Sequence, residues 1–100
     1  MVIYVDIDET ICYYENDRDY YLAKPILTNI NKINKLYDEG HEITYYTARG
    51  SVHKDKLEEY TNLTYSQLNE WGCKYHKLSV GEKPAYDLMI CDKTKRIEEI

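Results

Sequence analysis

Four apolar residues, Val2-Ile3-Tyr4-Val5, run directly into Asp6-Ile7-Asp8-Glu9-Thr10. A short unbroken apolar run is what a strand buried in a parallel sheet requires. Residues two apart on an extended chain project to the same side, so Asp6 and Asp8 leave the strand's carboxyl end as neighbours. Two close carboxylates repel unless a cation sits between them or one holds a proton. Ligands in open α/β sheets gather at that end. The arrangement suggests a hard-cation site with a nucleophile and an acid/base poised on it. The plainer alternative is that Asp8 and Thr10 are turn residues that cap local backbone N–H groups.

The rest of the chain supplies the frame for that strand. Glu42 to Tyr46, Tyr75 to Leu78 and Leu88 to Cys91 read as further strands. Pro25 suits the first turn of a helix and Gly40 its end, with Ile26, Ile30, Ile33 and Tyr37 on one face. Leu57, Tyr60, Thr64, Leu68 and Trp71 keep helical period up to Gly72, although Asn62 and Thr64 are weak helix formers and invite a break. Alternating strands and helices predict an α/β fold, a Rossmann-like three-layer sandwich around a parallel sheet. The 100 residues suit a single domain, 1–100. Between strand and first helix, the polar, Tyr-rich stretch from Cys12 to Lys24 reads as a loop or flap.

Composition removes several classes of function. A net charge of −5 argues against sequence-independent binding along a nucleic acid backbone, which needs a basic surface. No apolar run approaches the roughly 20 residues of a membrane span, and no signal peptide precedes the first strand. Cys12, Cys73 and Cys91 are odd in number and lack metal-ligand spacing, so they read as reduced thiols of a cytoplasmic protein. Twelve Tyr against one Trp and no Phe implies many half-exposed rings, some lining a substrate site or a subunit interface.

Three further residues fall at strand ends or just before a strand. Thr47 closes the second strand, Lys83 precedes Pro84 before the fourth, and Asp92 follows the fourth. A carboxylate pair, a hydroxyl, an ammonium and a third carboxylate make a phosphate-handling inventory, and the carboxylates suit Mg²⁺. In this order the residues resemble the haloacid dehalogenase superfamily of phosphotransferases. Asp6 and Asp8 match its first motif, Thr47 its second, Lys83 its third and Asp92 its fourth. Tyr-Thr-Ala-Arg-Gly (46–50) and Lys-Pro-Ala-Tyr-Asp (83–87) look like its small capsule-biosynthesis phosphatases.

The resemblance implies a catalytic cycle. Asp6 would attack phosphorus and form an aspartyl-phosphate. Asp8 would protonate the leaving oxygen and then activate the hydrolytic water. Thr47 and Lys83 would hold the phosphoryl group, and Arg49 would either contact the substrate's anionic part or be a solvated loop residue. Mg²⁺ would bind the Asp6 carboxylate, the Asp8 backbone carbonyl and Asp92. An acid two residues after the nucleophile marks phosphatases and mutases of that superfamily.

Two positions depart from its pattern. Cys91 stands where an acid often precedes Asp92, and it is a soft ligand for a hard ion. Asp87 cannot replace that acid, since five strand residues at about 3.3 Å each place it roughly 16 Å from Asp92. Glu9 stands where many relatives carry Gly. Lys77 is a rival to Lys83 without the Lys-Pro context, and His53 and His76 read as surface residues.

The expected function is therefore hydrolysis of a small phosphomonoester, such as a sugar phosphate. A catalytically silent scaffold and a phosphoprotein phosphatase are the alternatives. A signalling receiver domain fits poorly, because its paired acids are adjacent and Ile7 separates these. The inserts are too short for a cap domain, so a Tyr-rich flap with Tyr13, Tyr14, Tyr20 and Tyr21, and a partner subunit in a homo-oligomer, are expected to close the site.

Overall fold

The computed structural model describes residues 1–51, 54–81 and 88–90. Its centre is a four-stranded parallel sheet in the order β5-β4-β1-β6, with β1 at Val2–Asp6, β4 at Glu42–Thr47, β5 at Lys77–Val80 and β6 at Leu88–Ile90. Helix α1 (Leu27–Asp38) joins β1 to β4, and α2 (Leu57–Glu70) joins β4 to β5. The α/β parallel architecture read from the sequence is the one observed.

Both β-α-β units step the same way along the sheet, and right-handed crossovers then place both helices on one face. The core agrees. Ile3 and Val5 of β1 lie beside Ile43 and Tyr45 of β4, and pack with Ile30 and Ile33 of α1 and Leu68 of α2. Tyr4 and Tyr46 turn to the opposite face. Thr44 and Tyr46 are buried there, at 4% and 8% exposure, so the sheet's centre is withdrawn from water on both sides.

Each helix ends on the glycine expected to stop it. Gly40 has φ +98° and Gly72 φ +74°. After α1, His41 N donates to Leu36 O and Gly40 N to Tyr37 O; after α2, Cys73 N donates to Leu68 O and Gly72 N to Asn69 O. These paired bonds satisfy the last helical carbonyls, and the left-handed residue they need carries no Cβ penalty in glycine.

Three boundaries differ from the sequence reading. Pro25 is not in a helix: Lys24–Pro25 form β3, antiparallel to β2 at Cys12–Tyr13, and α1 begins two residues later. Proline lacks an N–H, which a two-residue ribbon tolerates. Helix α2 runs unbroken through Asn62 and Thr64, where the Thr64 hydroxyl donates to Tyr60 O of the preceding turn at 2.7 Å. The third strand starts at Lys77 rather than Tyr75, because His76 N donates to Ile43 O and its Nδ1 accepts from Ile43 N, so a side chain occupies the first rung. No helix among the described residues is long and apolar enough to cross a membrane.

Candidate active site at the carboxyl end of the central strands

Asp6 is the last residue of β1, opposite Tyr46 of β4. The chain leaves β1 toward β4 and β5 on one side, while β6 lies on the other. Asp6 therefore stands where the sheet order reverses, at the mouth of the crevice in which α/β folds bind ligands. Beyond it, Ile7 is fully buried and its N–H donates to Tyr46 O. A tight turn follows, with Thr10 N and Ile11 N both bonded to Ile7 O. Glu9 adopts φ +66° in this turn, a left-handed conformation that glycine enters without steric penalty.

The turn delivers the Asp8 carboxylate to the end of β4, where its contacts are dense. Thr47 Oγ1 donates to Oδ2 at 2.9 Å. Arg49 Nη2 donates to Oδ1 at 2.8 Å, and Arg49 Nε lies 3.2 and 3.3 Å from the two oxygens. The Tyr14 hydroxyl also donates to Oδ1, and Cys12 Sγ approaches it at 3.6 Å. Burial by itself would raise the Asp8 carboxyl. The hydrogen bond and charge of Arg49, joined by the Tyr14 and Thr47 hydroxyls, outweigh it and hold the group below its usual 3.8. Burial and the neighbouring carboxylate push Cys12 up to about 12, so it remains a thiol. Burial and the bond to Asp8 likewise keep the Tyr14 phenol protonated.

Arg49 is not the solvated loop residue that the sequence also allowed. Its side chain has 0% exposure. Nη1 donates to Thr64 Oγ1 at 3.1 Å and to Gln67 Oε1 at 2.6 Å, while Nη2 also reaches the Tyr14 hydroxyl at 3.2 Å. With Nε and Nη2 on Asp8, the donors of the guanidinium all point at protein partners. The ring of Tyr20 covers it, 4.8 Å from centroid to Cζ. Thr47 is committed too: its hydroxyl bonds Asp8 and accepts from Arg49 N at 3.2 Å. The two residues expected at the phosphoryl group thus both hold the Asp8 carboxylate.

The Tyr-rich stretch divides. Tyr14 and Tyr20 turn inward, with their rings 6.5 Å apart, and Tyr20 stands edge-on to Tyr60 of α2 at 5.2 Å. Tyr13 and Tyr21 remain exposed. Arg18 pairs with Glu9 at 3.0 Å and lies over the Tyr14 ring. A 3-10 turn at Tyr20–Leu22 is capped by the Asp19 carboxylate, which accepts from Tyr21 N at 3.1 Å. Asp19 also borders an open cavity of about 360 Å³ with Arg18, Tyr20, Tyr21 and Tyr60. His76 is exposed and stacks on Tyr37; Lys77 faces solvent, 4.0 Å from Glu42.

Asp6, Asp8, Thr47 and Arg49 lie within the described residues. Lys83, Asp87, Cys91, Asp92 and His53 lie outside them. For a magnesium ion the described donors are of the right kind: the Asp6 carboxylate and the Asp8 carbonyl are hard oxygens at the strand end. The Asp8 carbonyl accepts no backbone hydrogen bond among the described residues. Both oxygens of the Asp8 carboxylate accept hydrogen bonds, from Thr47, Arg49 and Tyr14. Gln67 and Thr64 are site residues that sequence reading passed over. A threonine inside the apolar stripe of α2 was the available signal.

No family model matches the chain, and no curated protein does. Among solved structures it is similar to an MCSG target from Vibrio cholerae, with 25% identity over 98% of this chain and 85% of that one, at a TM-score of 0.72. The likeness extends over nearly the whole chain and rests on the compact α/β fold with its parallel sheet.

Proposed function

We propose that the chain is a magnesium-dependent phosphatase of small phosphomonoesters, sugar phosphates among them, working through an aspartyl-phosphate on Asp6. The observation that carries the reading is a strand-end acid at the reversal of the sheet order, followed two residues later by an acid that an arginine holds ionised. Asp6 attacks phosphorus in line, and the ester oxygen leaves with the bonding pair of the broken P–O bond and takes its proton from solvent water. Asp8, ionised beside Arg49, then accepts a proton from the water that cleaves the acyl phosphate. Asp8 in this state is better suited to the base role than to protonating the leaving group. Thr47 and Arg49 act by fixing its carboxylate. Asp6, the Asp8 carbonyl and Asp92 would hold Mg²⁺, which supplies charge neutralisation for the phosphoryl oxygens. Lys83 would contact the same oxygens.

The test is turnover of p-nitrophenyl phosphate with Mg²⁺ by the wild type and by Asp6→Asn, alongside intact-mass detection of a phosphorylated protein. Turnover lost in the variant supports the reading. No turnover across aryl, sugar and acyl phosphates would leave the scaffold reading, which the saturated contacts of Asp8 favour.

A further inference from the structure

Gln67 is 6% exposed and both ends of its amide are engaged. Oε1 accepts from Arg49 Nη1 at 2.6 Å, and Nε2 donates to Tyr20 O at 2.6 Å. One side chain on α2 therefore touches both the partner of Asp8 and the backbone of the Tyr-rich flap. Thr64, one turn earlier, accepts from Arg49 Nη1 and donates to Tyr60 O of its own helix, so its hydroxyl ties Arg49 to α2 and not to the flap. Tyr20 closes the loop, since its ring lies on the guanidinium whose far end Gln67 holds.

We propose that Gln67 is a positioning residue that seats the flap and orients the Arg49–Asp8 pair through the two ends of one amide, so that α2 sets both. The assignment rests on the phosphatase reading for its catalytic consequence, but not for its structural content. An amide is suited to the task because it offers an acceptor to a cation and a donor to a carbonyl at once. A hydrophobe of equal length offers neither, and a carboxylate offers only the first.

Three variants separate the two ends. Gln67→Glu keeps an acceptor for Arg49 and removes the donor to Tyr20 O. Thr64→Val removes an Arg49 partner and leaves the flap tie. Gln67→Met removes both. Hydrogen exchange at the Tyr21, Leu22 and Ala23 amides reads the flap, since all three are bonded within the 3-10 turn. The Arg49 Nε–H signal by NMR reads the guanidinium. Flap exchange should rise about fivefold or more in Gln67→Met and Gln67→Glu and stay unchanged in Thr64→Val. The slowly exchanging Arg49 signal should survive in Gln67→Glu and be lost in Gln67→Met.

With p-nitrophenyl phosphate, Thr64→Val should lower kcat with KM unmoved, and Gln67→Glu should raise KM while keeping kcat. Gln67→Met should do both, by about tenfold or more in kcat/KM. Flap exchange at the wild-type rate in Gln67→Met, or equal loss of the Arg49 signal in both Gln67 variants, overturns the proposal. If the wild type turns over no phosphate ester, the phosphatase reading fails, while the exchange data still decide the role of Gln67.

Discussion

Replacing Arg49 by Met tests the electrostatic core of the site. The substitution keeps much of the side-chain volume and removes a charge with 0% exposure from a carboxylate with 10%. Removing one partner of a buried pair costs about 3–5 kcal/mol, because the other charge stays buried without compensation. That is a large part of the roughly 5–15 kcal/mol that stabilises a domain of this size. The deficit should depend on pH in a defined direction. In the wild type the Asp8 carboxyl is depressed, so the pair's contribution is present above 3.8 and is lost as pH falls through the lower folded value. In the variant burial is unopposed by the guanidinium, the carboxyl rises, and proton uptake at acid pH relieves the penalty. The wild-type advantage in urea unfolding, measured in chelator, should be about 3–5 kcal/mol at pH 7 and shrink steadily toward pH 4. Should Arg49→Met not fold at neutral pH, Asp8→Asn added to it should restore folding, since a neutral amide needs no counter-charge. A deficit below about 1 kcal/mol, or one equal at pH 7 and pH 4, would refute the reasoning.

Further outcomes follow from other features. Asp6→Asn should abolish turnover while leaving the melting temperature within about 4 °C, since the amide is nearly isosteric; activity within about tenfold of wild type removes the nucleophile assignment. With Asp8 held ionised, aryl phosphates should outpace alkyl phosphates in kcat/KM by about a hundredfold or more, and a flat dependence on leaving-group pKa would contradict that state. Glu9→Gly should leave stability unchanged or raise it by up to about 1 kcal/mol, because relief of φ +66° offsets an exposed pair with Arg18; a clear loss by urea unfolding would count against strain there. Gly81→Ala should destabilise by about 1–2 kcal/mol, since φ is +85° and a Cβ would lie 2.9 Å from Leu57 Cδ1; wild-type stability would show that Leu57 yields freely.

What the sequence by itself determined is what depends on near neighbours. The apolar run before Asp6, the helical spacing of Ile30 and Ile33, and the glycines at 40 and 72 act over a few residues, and the fold carries them unchanged. Boundaries governed by a distant partner were not legible. Pro25 reads as a helix start until Cys12 pairs with it, and Thr64 reads as a helix breaker until its hydroxyl bonds the turn above and receives Arg49. The site divides in the same way. Asp6 follows from the end of a strand, whereas the state of Asp8 rests on an arginine 41 residues away. Only the crossover that lays β4 beside β1 brings that guanidinium to the carboxylate. A buried cation takes whichever acceptors the packing presents, and no spacing in the chain names them.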